Sequence, residues 1–222
     1  MAAEGTARDS FFAFLNQAAL AMVGNVASGE NGNRHVEDNE IELIGRGVKS
    51  GLLSIVGNKV HVPRHTKLGL IEGKYDLFTL NREYLTQFAA LSALIFDYDY
   101  SPDDCWLEYE LMDVCVMQPT TSAPFIYVET KAPKRQSEMD IFLKKIEGYA
   151  HDIAHLLDEH DRGNDPLRKA KYIFKHKPEY LWLFTPKSRQ AFKISYTADG
   201  FSLTPIADIP AATEIARRTL GE

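Results

Sequence analysis

Two short apolar runs near the middle of the chain form its clearest pattern. The first covers residues 114–117 and the second residues 125–128, and a polar turn with two prolines separates them. Short apolar runs bounded by turn residues are typical of β-strands, so the pattern predicts a β-hairpin. Charged residues flank this hairpin but do not enter it.

The residues that flank the hairpin are of chemically useful types. Asp113 opens the first strand, and Glu129, Thr130 and Lys131 close the second. Because successive strand residues point to opposite faces, Glu129 and Lys131 are expected on one face and Thr130 on the other. Thr130 would then contribute its backbone carbonyl. The hairpin thus predicts two carboxylates, a carbonyl oxygen and an ammonium group near one point, a set that can hold a divalent cation.

Periodicity in the rest of the chain predicts an α/β protein. Apolar residues at three- and four-residue spacing, with capping residues at the ends, indicate helices. The predicted helices are residues 11–23, 82–96, 137–159 and 210–219, and strands are predicted at 105–117 and 180–184 and in a hairpin over 191–205. Polar composition predicts loops at 27–40 and 161–170, and residues 41–80 predict short strands and turns.

Composition indicates a folded protein without a membrane anchor. With 222 residues, 45% of them hydrophobic, the chain can bury a core. We expect an N-terminal helix and β extension, residues 1–80, followed by a core, residues 81–222. The apolar stretch 11–23 is too short and too polar to span a bilayer, and no basic segment precedes it as in a signal peptide. Two cysteines are too few for a disulfide framework, which favours a cytoplasmic location.

Charge is distributed unevenly along the chain, whose net charge is −6. Residues 131–193 hold 14 Lys and Arg against 9 Asp and Glu, whereas residues 1–130 hold 9 against 18. A basic segment beside a carboxylate pair favours a polyanionic substrate such as nucleic acid. The residues expected to bind it are Lys134, Arg135, Lys144 and Lys145. A solvated charged surface is the plainer interpretation of the same residues.

The order of elements from residue 82 to 185 is helix, three strands, helix and strand. This order resembles that of the PD-(D/E)xK superfamily of restriction-endonuclease-like nucleases, in which one acid begins the second strand and a (D/E)xK triplet ends the third. Asp113 and residues 129–131 match these two motifs. Lys145 and Tyr149 occupy the helical pair, one turn apart, where the family often has Gln and an aromatic residue. The chain departs from the family at Lys145 and at Met112, where proline is common.

The resemblance covers about half of the chain and implies a restriction-endonuclease-like fold, with a mixed central sheet flanked by helices. It also implies a metal-dependent nuclease in which Asp113, Glu129 and the Thr130 carbonyl bind Mg²⁺ or Mn²⁺. Lys131 would act on the attacking water and on the transition state. Glu83, on the first core helix, is a candidate for a further acid, although a Glu in a first turn also suits the helix dipole.

The expected partner is nucleic acid, DNA rather than RNA, in restriction, defence or repair. A homodimer or a larger complex is compatible with the sequence. The alternative from another class is a non-catalytic subunit with the same fold, which would use its basic face to bind nucleic acid or a protein. A separate, plainer interpretation is that Glu129 and Lys131 form a surface ion pair at a strand end.

Two further motifs compete with the hairpin. Glu72-Gly73-Lys74 repeats the acid-x-Lys triplet, but residues 43–71 contain no acid that could complete a site. His151 and His155 have the spacing of a zinc-binding helix, with His160 as the nearest third ligand in the sequence. Both histidines fall opposite the apolar stripe of their helix, which favours exposed histidines over a zinc site.

Overall fold

The computed structural model describes residues 5–23, 36–56, 59–62, 65–68, 71–74, 77–119, 121–132 and 136–215. The helices are α1 (Ala7–Val23), α2 (Asp38–Lys49), α3 (Arg82–Phe96), α4 (Gln136–Ala150) and α5 (Asp165–His176). The strands are β1 (Ser54–Val56), β2 (Lys59–Val62), β3 (His65–Leu68), β4 (Ile71–Lys74), β5 (Leu77–Leu80), β6 (Cys105–Tyr109), β7 (Met112–Met117), β8 (Pro124–Thr130), β9 (Tyr180–Phe184), β10 (Arg189–Tyr196) and β11 (Phe201–Ile206).

The chain divides into two compact units, Met1–Tyr98 and Asp99–Glu222. This division places α3 in the first unit, whereas the predicted boundary between residues 80 and 81 places it in the second; the boundary stays a prediction. No helix in the described ranges is long and apolar enough to cross a membrane.

The first unit combines helices α1 to α3 with short antiparallel strands. Helix α1 packs on α2, and α2 packs on α3. Strands β1 to β3 form one sheet, and β4 pairs with β5 in another. Gly45 lets α1 approach α2 closely, because a Cβ atom at this position would fall 1.9 Å from the carbonyl oxygen of Ala7. An ion pair of 2.6 Å between the buried side chains of Glu40 and Arg82 joins α2 to α3.

Helix α2 corrects the sequence prediction for this unit. Helix α1 confirms the helix predicted at 11–23, and the strands from residue 54 onward confirm that part of 41–80. The loop predicted at 27–40 and the strands predicted from residue 41 were wrong where α2 runs, while residues 24–35 lie outside the described residues. The start of α2 is stabilised by Glu40, whose carboxylate accepts the N–H of Glu37 at 3.1 Å. The glycines that suggested turns serve in α2 as small residues for close packing.

The second unit is built on a mixed six-stranded sheet with the strand order β11-β10-β9-β8-β7-β6. Neighbouring strands are antiparallel except β8 and β9, which run parallel. A parallel pair needs a crossover connection, and α4 and α5 supply it between these two strands. The prediction of a mixed sheet flanked by helices is therefore confirmed.

Helix α5 corrects the prediction of a loop at 161–170. The helix begins at Asp165, and the side chain of Asn164 accepts a hydrogen bond from the N–H of Leu167 at 3.3 Å. Pro166 lies in the first turn, where a missing N–H costs nothing. Asn-Asp-Pro is therefore a capped helix start and not a turn. The helix predicted at 82–96 and the strands predicted at 105–117, 180–184 and 191–205 are confirmed, as are helical residues 212–215 at the end of the described chain.

The helix predicted at 137–159 ends earlier than expected. Helix α4 stops at Ala150, and a separate 3-10 turn follows at Ile153–Leu156. The turn between β10 and β11 lies against this end, since a Cβ atom on Gly200 would fall 2.1 Å from the carbonyl oxygen of Ala150. The carbonyl oxygen of Asp199 accepts the N–H of Ala154 at 3.0 Å. A continuing helix would need that N–H for itself, so the docked turn ends α4.

Helices α4 and α5 cover one face of the sheet. The residues buried between the helices and the sheet include Cys115, Tyr127, Met139, Phe142, Ile146, Leu167, Ala170, Ile173, Leu181 and Leu183. Each of these side chains is at most 5% exposed. This core fixes the positions of the strand ends on which the candidate residues lie.

Candidate active site

The register of β7 and β8 places Asp113 opposite Glu129. The antiparallel ladder pairs Cys115 with Tyr127, so two residues further along Asp113 stands opposite Glu129. Directly opposite residues point to the same face of a sheet. Lys169 of α5 forms an ion pair with Glu129 and lowers the pKa of Asp113, so both carboxylates lie near the ammonium group of this lysine.

Asp113 is held in place by Thr130. Its Oδ2 accepts a hydrogen bond from the backbone N–H of Thr130 at 2.6 Å and another from the Thr130 hydroxyl at 2.8 Å. Asp113 is 7% exposed and Thr130 is 1% exposed. Both bonds go to Oδ2, and among the described residues no group donates to Oδ1. The backbone and hydroxyl of Thr130 therefore orient Asp113, while the expected role of the Thr130 carbonyl as a metal ligand stays a prediction.

Glu129 is fully buried between two lysines. The Lys131 ammonium lies 2.5 Å from Oε1 of Glu129, and the Lys169 ammonium donates to Oε2. Lys169 comes from α5, and its Nζ also lies 3.4 Å from a carboxylate oxygen of Asp165. We call Asp113, Glu129, Lys131 and Lys169 the candidate centre.

The ring of Phe142 lies beside both ammonium groups of the candidate centre. The Nζ atom of Lys131 is 5.9 Å from the ring centroid, and that of Lys169 is 5.5 Å from it. An aromatic face attracts cations at this distance. Phe142 of α4 therefore helps to keep the two ammonium groups next to one carboxylate.

Burial and neighbouring charge shift the ionisation of the candidate centre. Burial raises the pKa of Glu129 above its ordinary value of 4.5 and Asp113 raises it further, against the opposing effect of the lysines. Burial also raises the pKa of Asp113 above 3.8, which Lys169 and the Thr130 hydrogen bonds oppose. For Lys169, burial acts to lower the pKa, but Glu129 and Asp113 outweigh it and raise the pKa. Removing one member of such a buried pair typically costs about 3–5 kcal/mol of stability.

Asp113→Asn is expected to change how stability depends on pH. Because the pKa of Asp113 is raised in the folded state, the unfolded chain loses its proton first as pH rises. The contribution of Asp113 to stability is thus complete below its ordinary pKa and is lost as pH rises through the folded pKa. Relative to wild type, the variant should gain stability from about pH 4 to about pH 7, as measured by urea unfolding at both pH values. A stability difference that does not change with pH would contradict the raised pKa.

The other predicted site residues are not joined to the candidate centre by any hydrogen bond or ion pair between described residues of the second unit. Within the described residues, no hydrogen bond or ion pair joins Lys145 or Tyr149 to it: Lys145 is exposed, and the Tyr149 hydroxyl accepts the side-chain N–H of Asn164 at 2.9 Å. Lys144 is exposed on the same helix, α4. Glu83 is exposed on the first turn of α3, in the first unit. Lys134 and Arg135 lie outside the described residues.

Lys169 is the member of the candidate centre that the sequence did not single out. The sequence places Lys169 in the basic segment 131–193 and in the predicted loop 161–170. The signal lies in the pattern of α5, where Ala170 and Ile173 are buried and Lys169 stands four residues before Ile173. A lysine on the buried side of a helix needs a partner for its charge, which identifies it as a candidate once α5 is recognised.

The histidine motif does not form a comparable site, and of the acid-x-Lys triplet the structure gives the strand pairing. Helix α4 ends before His151, so His151 and His155 do not share a helix, and both are exposed together with His160. In the described part of the chain, no three or more His, Cys, Asp or Glu side chains are grouped to hold a metal ion. The triplet Glu72-Gly73-Lys74 forms strand β4, paired with β5 in the first unit.

Comparison with known proteins adds no relative. No protein-family model, curated protein or solved structure matches the chain. Function is therefore inferred from the chemistry and geometry of the chain itself.

Proposed function

We propose that the chain is a metal-dependent nuclease of the PD-(D/E)xK type, which hydrolyses phosphodiester bonds of nucleic acid. One observation carries the proposal: Asp113 stands opposite Glu129 on neighbouring strands, and the Lys131 ammonium lies 2.5 Å from Glu129. The two motifs are separated in sequence by a complete hairpin turn. The proposal places both carboxylates close enough to share a cation, which the effect of Asp113 on the pKa of Glu129 supports.

The arrangement of strands supports the same type of enzyme. Strands β6, β7 and β8 are antiparallel neighbours, and β9 adds in parallel to β8 after the helices. Asp113 lies at the start of β7, while Glu129 and Thr130 end β8. The restriction-endonuclease-like fold is part of this proposal and rests on the element order and these motif positions.

The donor atoms suit a hard divalent cation such as Mg²⁺ or Mn²⁺. Asp113 and Glu129 would hold it through carboxylate oxygens, with the Thr130 carbonyl as a further ligand. Water and phosphate oxygens complete the shell of Mg²⁺ in many such sites, so two carboxylates are sufficient protein acids. When bound, the cation supplies an acidified water and neutralises charge on the phosphate.

Lys131 is the residue that we propose acts on the attacking water. Among the described residues its ammonium makes one ion pair, to Glu129, and its side chain is 16% exposed, so further N–H donors can reach substrate. A positioned lysine can orient or deprotonate the water and stabilise charge that develops in the transition state.

A cleavage assay tests the proposed function. Purified protein is incubated with supercoiled plasmid, single-stranded DNA and RNA, each with Mg²⁺, Mn²⁺ or a chelator. The proposal predicts cleavage that needs the metal, with DNA preferred over RNA, as suits restriction, defence or repair in the cytoplasm. Absence of cleavage of every substrate with either metal would contradict it.

The exposed lysines of α4 are proposed to contact the nucleic-acid backbone, together with Lys134 and Arg135. Lys144→Glu combined with Lys145→Glu should weaken DNA binding and reduce the slope of log K against log salt by about one per lost phosphate contact. Lys193→Glu, at an exposed position on β10, is the matched control and should change both quantities less. An unchanged slope in the double variant would show that α4 does not contact DNA.

A second candidate function is a non-catalytic subunit that binds nucleic acid or a protein. The observation that favours it is that both carboxylate oxygens of Glu129 are already paired with ammonium groups. Such a satisfied buried cluster can stabilise a fold without any chemistry. Metal binding separates the two candidates, because a scaffold has no need to bind Mn²⁺ through Asp113 and Glu129.

A further inference from the structure

The two lysines of the candidate centre are held with different firmness. Lys169 lies on α5, its side chain is 7% exposed, and its ammonium contacts both Glu129 and Asp165. Lys131 follows the last residue of β8, its side chain is 16% exposed, and Glu129 is its single ion-pair partner within the described residues. Lys169 therefore has more anchors and less access to solvent than Lys131.

The helix that carries Lys169 is itself fixed. Its first turn is capped by Asn164, and Leu167, Ala170 and Ile173 are buried in the core between the helices and the sheet. Movement of the Lys169 backbone away from Glu129 would expose this packed face. The side chain of Lys169 thus starts from a rigid element, as a positioning group requires.

A divalent cation bound to Glu129 would lie next to an ammonium group, and the repulsion between these like charges favours the departure of one ammonium from its oxygen. Lys131 occupies Oε1 and Lys169 occupies Oε2. The ammonium with fewer anchors and more solvent access is the one that moves. We therefore expect Lys131 to release Oε1. The Lys131 ammonium is then available to contact water and phosphate.

We propose that Lys169 is a positioning residue: it stays on Oε2 and holds the Glu129 carboxylate opposite Asp113 while Lys131 leaves Oε1. The role of Lys131 in this arrangement rests on the proposed nuclease function. The division between a fixed and a released lysine rests on the contacts alone, so it can be tested without cleavage.

Lys169→Met removes the charge and keeps much of the side-chain length. One more negative charge is then uncompensated near the cation, so Mn²⁺ should bind several-fold more tightly than to wild type. Turnover should nevertheless fall by about 10- to 100-fold, because Glu129 is no longer held in place. Lys169→Arg keeps the charge and can bond both Glu129 and Asp165, so it should restore turnover to within about tenfold of wild type.

The experiment combines calorimetric titration with Mn²⁺ alone and steady-state cleavage, for wild type and each variant. Lys171→Met is the matched control, since Lys171 is also a largely buried lysine of α5 but donates to the carbonyl oxygen of Glu159. Tighter Mn²⁺ binding with slower turnover in Lys169→Met alone supports the proposal. Unchanged values in Lys169→Met, or the same changes in Lys171→Met, would overturn it.

If Lys169→Met does not fold, the reactivity of each lysine toward an acylating reagent can be measured in the wild-type protein with and without Mn²⁺. Mass spectrometry should show that Mn²⁺ increases the reactivity of Lys131 and leaves Lys169 protected. Exposure of Lys169 with Lys131 unchanged would overturn the proposal.

The two measurements also separate this proposal from the nuclease function. If the protein binds Mn²⁺ with this labelling pattern but cleaves no nucleic acid, the role of Lys169 is supported and the nuclease function is contradicted. If the protein cleaves nucleic acid but Lys169→Met changes neither turnover nor Mn²⁺ affinity, the role of Lys169 is contradicted and the nuclease function is supported. A protein that binds no Mn²⁺ rejects both.

Discussion

Lys131→Ala is expected to lower the rate of metal-dependent cleavage by roughly a hundredfold or more. The variant removes a group that acts on water and on transition-state charge, but it keeps both carboxylates. Mn²⁺ binding should therefore not weaken, and the fold should persist because Lys169 still pairs with Glu129. Single-turnover cleavage with saturating metal and substrate measures this loss directly.

The matched control for this variant is Lys175→Ala. Lys175 is an exposed lysine of α5 whose ammonium lies 5.9 Å from the centroid of the Tyr172 ring, outside the candidate centre. Its removal should leave the cleavage rate unchanged. Cleavage that survives in Lys131→Ala at the wild-type rate would show that another site or a contaminant performs the reaction.

Asp113→Asn is expected to weaken Mn²⁺ binding by about tenfold or more, because an amide oxygen is a poorer ligand than a carboxylate. The amide oxygen can still accept the N–H and the hydroxyl of Thr130, so the local structure should be kept. Cleavage should fall with the metal affinity, and excess Mn²⁺ should recover part of it. The same excess should recover none of the loss in Lys131→Ala.

Asp103→Asn serves as the control for Asp113→Asn. Asp103 is an exposed acid in the loop before β6 and should not affect Mn²⁺ affinity. Calorimetric titration of both variants and wild type with Mn²⁺ measures the difference. Equal affinity in Asp113→Asn and wild type would remove Asp113 from the metal site.

The hairpin of the candidate centre could be predicted because its signals are local. Apolar runs and one turn between them predict strands β7 and β8 and place Asp113 and Glu129 at adjoining strand ends, and these features are visible over fewer than about twenty residues. The boundaries of α3 and β9 were likewise predictable from periodicity and composition.

The rest depended on contacts between distant segments. Helix α2 was hidden because its glycines, such as Gly45, permit close packing on α1 and look like turn residues in the sequence. Helix α4 ends at Ala150 because the turn at Gly200 lies against it, about fifty residues later in the chain. The pattern of α5 indicates that Lys169 needs a partner, but only the packing of α5 on the sheet determines that this partner is Glu129.

The most direct test of the central claim, that Asp113 and Glu129 share one divalent cation, is anomalous diffraction from crystals grown with Mn²⁺. We expect an anomalous peak bound by a carboxylate oxygen of each residue, with the Lys131 ammonium displaced from Oε1 of Glu129. Full Mn²⁺ occupancy elsewhere, with Lys131 and Lys169 both still on Glu129, would contradict it.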